Sequence, residues 1–133
     1  MTSKRRPAST AIARPLPPAT AAQQEPVKPP YPVHLLHSAA STIMQRGKER
    51  DTSTTGQQQE RSMAATVAAF NAIEGTALTE RQGWAFMQTL KLVRAASTAR
   101  NGRFNPDDYL DGAAYAALGG EAAKAQSGEG GAA

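Results

Sequence analysis

The chain contains no cysteine. That removes disulfides, thiolate zinc sites and a cysteine nucleophile together, and it fits a reducing, cytoplasmic setting. Aromatic residues are scarce, with one Trp, three Tyr and three Phe among 133 residues. No apolar run approaches the roughly 20 residues that cross a bilayer, so no membrane partner is expected. The N-terminus lacks the apolar core of about 7–15 residues that a secretory signal needs. Prolines 7, 15, 17 and 18 oppose the amphipathic helix of a transit peptide. Also missing are a P-loop, an HExxH helix, a GxSxG elbow and a Rossmann fingerprint. Alternating apolar residues, the mark of a half-buried strand, appear nowhere.

The charge is uneven. Residues 1–33 carry five basic side chains and one acidic, whereas residues 34–133 carry ten of each. The high pI therefore belongs to the tail. A folded surface built for nucleic acid is not supported, and such contact is left to Lys4, Arg5 and Arg6. Residues 1–32 are rich in proline and poor in large apolar side chains, so they cannot bury a face. The sequence predicts a disordered N-terminal tail there, a helical domain over 33–122, and a disordered, frayed end over 123–133.

Four helices are expected. The first follows Leu36, Ala39, Ala40 and Ile43, with Gly47 placed to end it. His34 and His37 lie three apart on it, but no third metal ligand is near, so they read as surface histidines. Residues 48–59 form a polar loop, either a cover for phosphates or a plain connector. The second helix carries Met63, Val67, Phe70 and Ile73 or Glu74, and Gly75 sits where a left-handed residue closes a helix. The third opens with Thr79 and Gln82 at capping-box spacing. Phe86, Leu90, Val93 and Ser97 follow one side of it, with Trp84, Met87, Lys91 and Arg94 beside them. Gly83 weakens its first turn by roughly 1 kcal/mol, a cost that close helix packing would explain. Asn101-Gly102 marks a turn, and Asn105-Pro106 opens the fourth helix, which Gly119-Gly120 should stop. The fold class is thus all-α, a small four-helix bundle-like domain. Alanine-rich faces bury little area each, and a core of this size is marginal alone. A homo-oligomer sharing the helical core is expected.

The chemistry concentrates on the fourth helix. Asp108 and Asp111 are i,i+3 neighbours, and Asp107 and Asp111 are i,i+4 neighbours, so the carboxylates can meet at one point. Like charges that close repel unless a cation sits between them, and oxygen ligands suit Mg²⁺ or Mn²⁺. Tyr115 lies one turn further on the same stripe. Asp107 and Asp108 can equally be first-turn acids that favour the helix dipole. Asp111, nearer the packed face, needs a partner, either a metal or an Arg from a neighbouring helix. Lys91 and Arg94 can hold phosphate oxygens or salt-bridge Asp108 and Asp111. Glu60 and Arg61, at the start of the second helix, complete the set, although the dipole also accounts for Glu60.

The stretches "RGKERD", "ERSM", "FNAIEG", "LTERQGWAFMQTLKLVRA" and "DDYLDGAAYAAL" resemble a family of small, uncharacterised proteins of tailed bacteriophages and prophages. The shared features are Arg46-Gly47, then Leu90-Lys91 with Arg94, then Asp107, Asp111 and Tyr115. That family is distantly similar to the MazG-like all-α nucleoside triphosphate pyrophosphohydrolases. These bind Mg²⁺ with an ExxE helix and an ExxD helix, and release pyrophosphate from nucleotides. The resemblance implies a nucleotide partner, a Mg²⁺ cofactor and a cytoplasmic place in an infected or lysogenic bacterium. It implies metal binding by Glu60, Asp108 and Asp111, phosphate binding by Lys91 and Arg94, and support from Asp107, Tyr115 and Arg61. Asp108-x-x-Asp111 stands in for the second motif. The first is incomplete, because Met63 stands three residues after Glu60, and Glu49 and Asp51 lie in the loop before it. Two outcomes stay open: a Mg²⁺-dependent pyrophosphohydrolase, or a non-catalytic helical module that binds a nucleotide or a host protein.

Overall fold

The computed structural model describes residue 13, residues 27–51 and residues 60–129. Residues 1–12, 14–26, 52–59 and 130–133 lie outside the described set. That covers most of the expected N-terminal tail, most of the expected polar loop and the last residues of the expected C-terminal fray. The described chain is all helical: α1 (Tyr31–Arg50), α2 (Ser62–Glu74), α3 (Glu80–Arg100) and α4 (Pro106–Glu129). No strand occurs among the described residues.

Local chemistry sets the helix ends. Thr79 caps α3: its hydroxyl accepts from Gln82 N–H at 3.3 Å, and the Gln82 side chain accepts from Thr79 N–H at 2.8 Å. Two otherwise orphaned donors are satisfied by this reciprocal pair. At the other end of α3, Gly102 takes φ 65°, Gly102 N–H reaches Ala99 O at 2.9 Å and Arg103 N–H reaches Thr98 O at 3.0 Å. That is the paired bonding of a Schellman ending, and it turns the chain into α4. The Asn105 side-chain oxygen then accepts from Asp107 N–H at 3.3 Å, ahead of Pro106 in the first turn. Gly75 ends α2 with φ 66°. Asn71 ties down the connection that follows, giving and taking hydrogen bonds with Leu78 at 2.8 and 2.9 Å.

α3 and α4 form the central antiparallel pair. α1 packs against α4, and α2 leans on α3. The core is thin. Met63, Val67, Trp84, Leu118 and Ala122 make one buried cluster, with Ile43, Met87 and Tyr115 packed around it. Trp84 stacks on Tyr115 with ring centroids 5.7 Å apart. Gly83 lets α2 and α3 approach, as its expected packing cost suggested: a Cβ there would run into the Met63 sulfur and come within 2.8 Å of Val67 Cγ2.

Three expectations are corrected. Gly47 does not end α1; it is buried inside the helix, which runs on to Arg50. Gly119-Gly120 do not stop α4, which continues to Glu129 and so crosses most of the expected fray. Gly119 instead faces Trp84, whose Cβ a methyl group there would meet at 3.4 Å. Gly119 serves close packing, whereas a Cβ on Gly120 would meet nothing within 4 Å, and with no positive φ imposed on these glycines the chain has no reason to turn. Finally, Phe70, Ile73, Phe86 and Val93 are exposed rather than inward. α2 buries Met63 and Val67, and α3 turns Trp84, Met87 and Lys91 toward its neighbours.

Candidate functional site

Lys91 organises the centre of the molecule. It leaves α3 beside Gly112 of α4, where a Cβ would lie 3.8 Å from the Lys91 Cβ, so the stem can run along α4. Its Nζ stands 2.7 Å from Asp111 Oδ2 and 3.8 Å from Asp108 Oδ1. The two carboxylates do converge, and the cation between them is an ammonium of the same chain. Asp108 is 4 % exposed. It also accepts from the Asn105 amide at 3.1 Å. Asp111 receives a second cation, Arg46 of α1, at 3.2 Å. Three helices are joined through these two carboxylates.

Glu60 belongs to a second cluster. Its carboxylate accepts from Arg50 at 3.2 Å, from Ser62 N–H at 2.9 Å and from the Ser62 hydroxyl. It thereby caps the free N–H groups at the start of α2, a role for which Arg61 at the N-cap offers no side-chain bond. Burial pushes the Glu60 carboxyl up, but the Ser62 hydrogen bonds and the Arg50 charge outweigh it and hold the group below the ordinary carboxylate value. Arg61 pairs with Asp51 at 3.6 Å.

The other residues singled out in the sequence fall as follows. Asp107 is exposed, and its N–H is bound by Asn105, the place of a helix-starting acid. Arg94 is exposed and, unlike Lys91 with which it was grouped, joins no ion pair among the described residues. Tyr115 stacks under Trp84. His34 and His37 are exposed. Among the described residues, no group of three or more His, Asp or Glu side chains is arranged to hold a metal ion. Their described helices also include none long and apolar enough to cross a membrane.

A cleft of about 350 Å³ joins the two clusters, lined by Arg46, Arg50, Glu60, Ser62, Trp84 and Tyr115 among others. Arg46 and Arg50 are one turn apart on α1, so both guanidiniums reach the same cleft. Arg46 was visible in the sequence only as part of Arg46-Gly47, and Arg50 only as a member of a polar loop. The signal that would have found them is their i,i+4 spacing on a helix that continues through Gly47. No protein-family model, no curated protein and no solved structure matches the chain.

Proposed function

We propose that the chain is a nucleotide-binding helical module that works without hydrolytic turnover. The observation that carries this reading is the cleft with its two guanidiniums. Among the described residues each of them commits a single side-chain hydrogen bond to a carboxylate, Arg46 to Asp111 and Arg50 to Glu60. A guanidinium is a fork of several N–H donors, so donors remain to take phosphate oxygens in a bidentate manner. The Arg50 side chain is 53 % exposed and the Arg46 side chain 26 %, which leaves both reachable from solvent. The phosphate contacts expected of Lys91 and Arg94 thus pass to Arg46 and Arg50 in this proposal. Lys91 is spent on Asp108 and Asp111, and Arg94 points elsewhere on the surface.

The second reading is the Mg²⁺-dependent, MazG-like phage pyrophosphohydrolase. It is favoured by the convergence of Asp108 and Asp111 on one cation position. In that reading Asp108 and Asp111 would hold Mg²⁺ in place of the Lys91 ammonium, and the ion would supply activation of a water for hydrolysis. The non-catalytic reading is preferred because every acid of that set already carries a cation or a helix N-terminus. A metal would have to break those contacts before any chemistry.

Equilibrium titration of the full chain with ATP, dATP and inorganic pyrophosphate tests the proposal. Binding that weakens at least about tenfold in Arg50→Ala, with the helical spectrum unchanged, supports it; about 1.4 kcal/mol is one lost charge-assisted contact. Binding by Arg50→Ala and Arg46→Ala that equals the wild type's, or none by the wild type, overturns it.

A further inference from the structure

The α2–α3 face presents a second opening, of different chemistry. A groove of about 420 Å³ runs between these helices, walled by Val67, Phe70, Leu78, Gly83, Phe86 and Met87. No charged side chain lines it. The apolar side chains around it stand out of the molecule: Ile73 is 79 % exposed, Phe86 71 % and Phe70 46 %. α2 itself carries no charge from Ser62 to Ile73. A helix that keeps one face in water carries polar residues on that face. α2 instead shows Ala64, Ala65, Ala68, Ala69 and Ala72 there, all exposed. Contiguous apolar surface of this kind marks an interaction site.

We infer that the occupant of this groove is the same groove of a second copy, so that two chains pair about a two-fold axis through α2 and α3. A two-fold interface brings one patch against itself, so the patch must supply both projections and hollows. This one does: Ile73 and Phe86 project, and the groove receives. With no charge lining it, self-contact brings no like charges together. The flanks carry one acid and one base, Glu74 and Arg81, both exposed, and a two-fold axis lets each face its opposite on the other copy. A strongly charged peptide partner would find no counter-charge among the described residues that line the groove.

The size of the face sets the strength. α2 is 13 residues, so about 20 Å long, and two helices of about 10 Å diameter side by side give on the order of 400 Å² in projection. That is about half of the roughly 800 Å² per partner that stable specific interfaces use. A weak, concentration-dependent dimer follows. The pairing would complete the thin core from outside. It is independent of the nucleotide proposal, because the polar cleft stays on the other side of Met63 and Met87.

Sedimentation velocity of the full chain from about 1 to 200 µM tests it. The expected result is a monomer–dimer equilibrium. Ile73→Glu and Phe86→Glu, both at exposed positions that the fold does not need, should raise the dissociation constant at least about tenfold. Met44→Glu, at a position 72 % exposed and outside the groove, should leave it unchanged. A wild type that stays monomeric at 200 µM overturns the inference. So does a dimer that persists in both glutamate variants, or a groove that only a different protein fills.

Discussion

Replacing Lys91 by Ala should be the most damaging single change in the polar interior. Its ammonium is 2.7 Å from Asp111 and 3.8 Å from Asp108. With an effective dielectric constant of about 20, those separations correspond to roughly 10 kcal/mol of attraction before desolvation is counted. Taking three charges out of water costs several kcal/mol each, so the intact triad is close to neutral for stability. Removing only the cation is different. The Asp108 side chain is 3 % exposed and that of Asp111 15 %, and both would remain buried, close together and short of a counter-charge. Breaking a buried pair costs about 3–5 kcal/mol. Arg46 and Asn105 still hold one carboxylate each, so about 3 kcal/mol is expected. At about 4–8 °C per kcal/mol for a domain of this size, the midpoint of thermal unfolding should fall by roughly 10–25 °C. Two companions sharpen the test. Lys91→Met with Asp108→Asn neutralises the carboxylate that has no other cation, leaves Asp111 paired with Arg46, and should recover most of the loss. Millimolar Mg²⁺ should raise the melting temperature of Lys91→Ala and not of the wild type, since only the variant leaves the site between the acids open. A melting temperature within about 2 °C of wild type for Lys91→Ala, or a Mg²⁺ effect equal in both proteins, would refute the account of Lys91 as the built-in cation.

Three further outcomes are expected. Glu60 has a folded-state pKa below its ordinary value, so its contribution is present above the unfolded-state pKa and is lost as pH falls through the lower, folded one. The stability gap between wild type and Glu60→Gln, read from urea melts, should therefore be full at pH 7 and shrink as the pH falls below the ordinary carboxylate range. Gly83→Ala should destabilise by about 1 kcal/mol despite the better helix propensity of Ala, because the methyl group meets Met63 and Val67. Gly112→Ala has only ordinary contact with Lys91 at 3.8 Å, so it should stabilise by about 0.5 kcal/mol; denaturant midpoints of the two variants should move in opposite directions. Thr79→Ala should cost about 1 kcal/mol through loss of the α3 capping box, measured the same way.

Helix count and most helix starts were legible in the sequence because they rest on local chemistry. Thr79 with Gln82, Gly75, Asn101-Gly102 and Asn105-Pro106 each act within a few residues. Gly47 and Gly119 misled for the same reason: a glycine that ends a helix and one that admits a neighbour look alike until the neighbour is known. The buried faces of α2 and α3 were ambiguous because alanine fills every stripe, so Phe70 and Phe86 could be assigned inward as readily as Met63 and Trp84. At the site, the spacing of Asp108 and Asp111 left a metal ion or a basic side chain open, and the Lys91 ammonium stands between them. Lys91 stood among the candidates as a salt-bridge partner. Neither Arg46 as the second partner of Asp111 nor the pairing of Glu60 with Arg50 has a local signal. Both depend on where α1 crosses α4 and meets the start of α2.

The most direct test of the central claim is pyrophosphate and phosphate release from a panel of NTPs and dNTPs, with Mg²⁺ or Mn²⁺, by wild type and Asp111→Ala under conditions where nucleotide binding has been established. The account predicts bound nucleotide and no release above background in either protein. Pyrophosphate release by the wild type that vanishes in Asp111→Ala would contradict it and make the Asp108–Asp111 pair a metal site that Lys91 only guards.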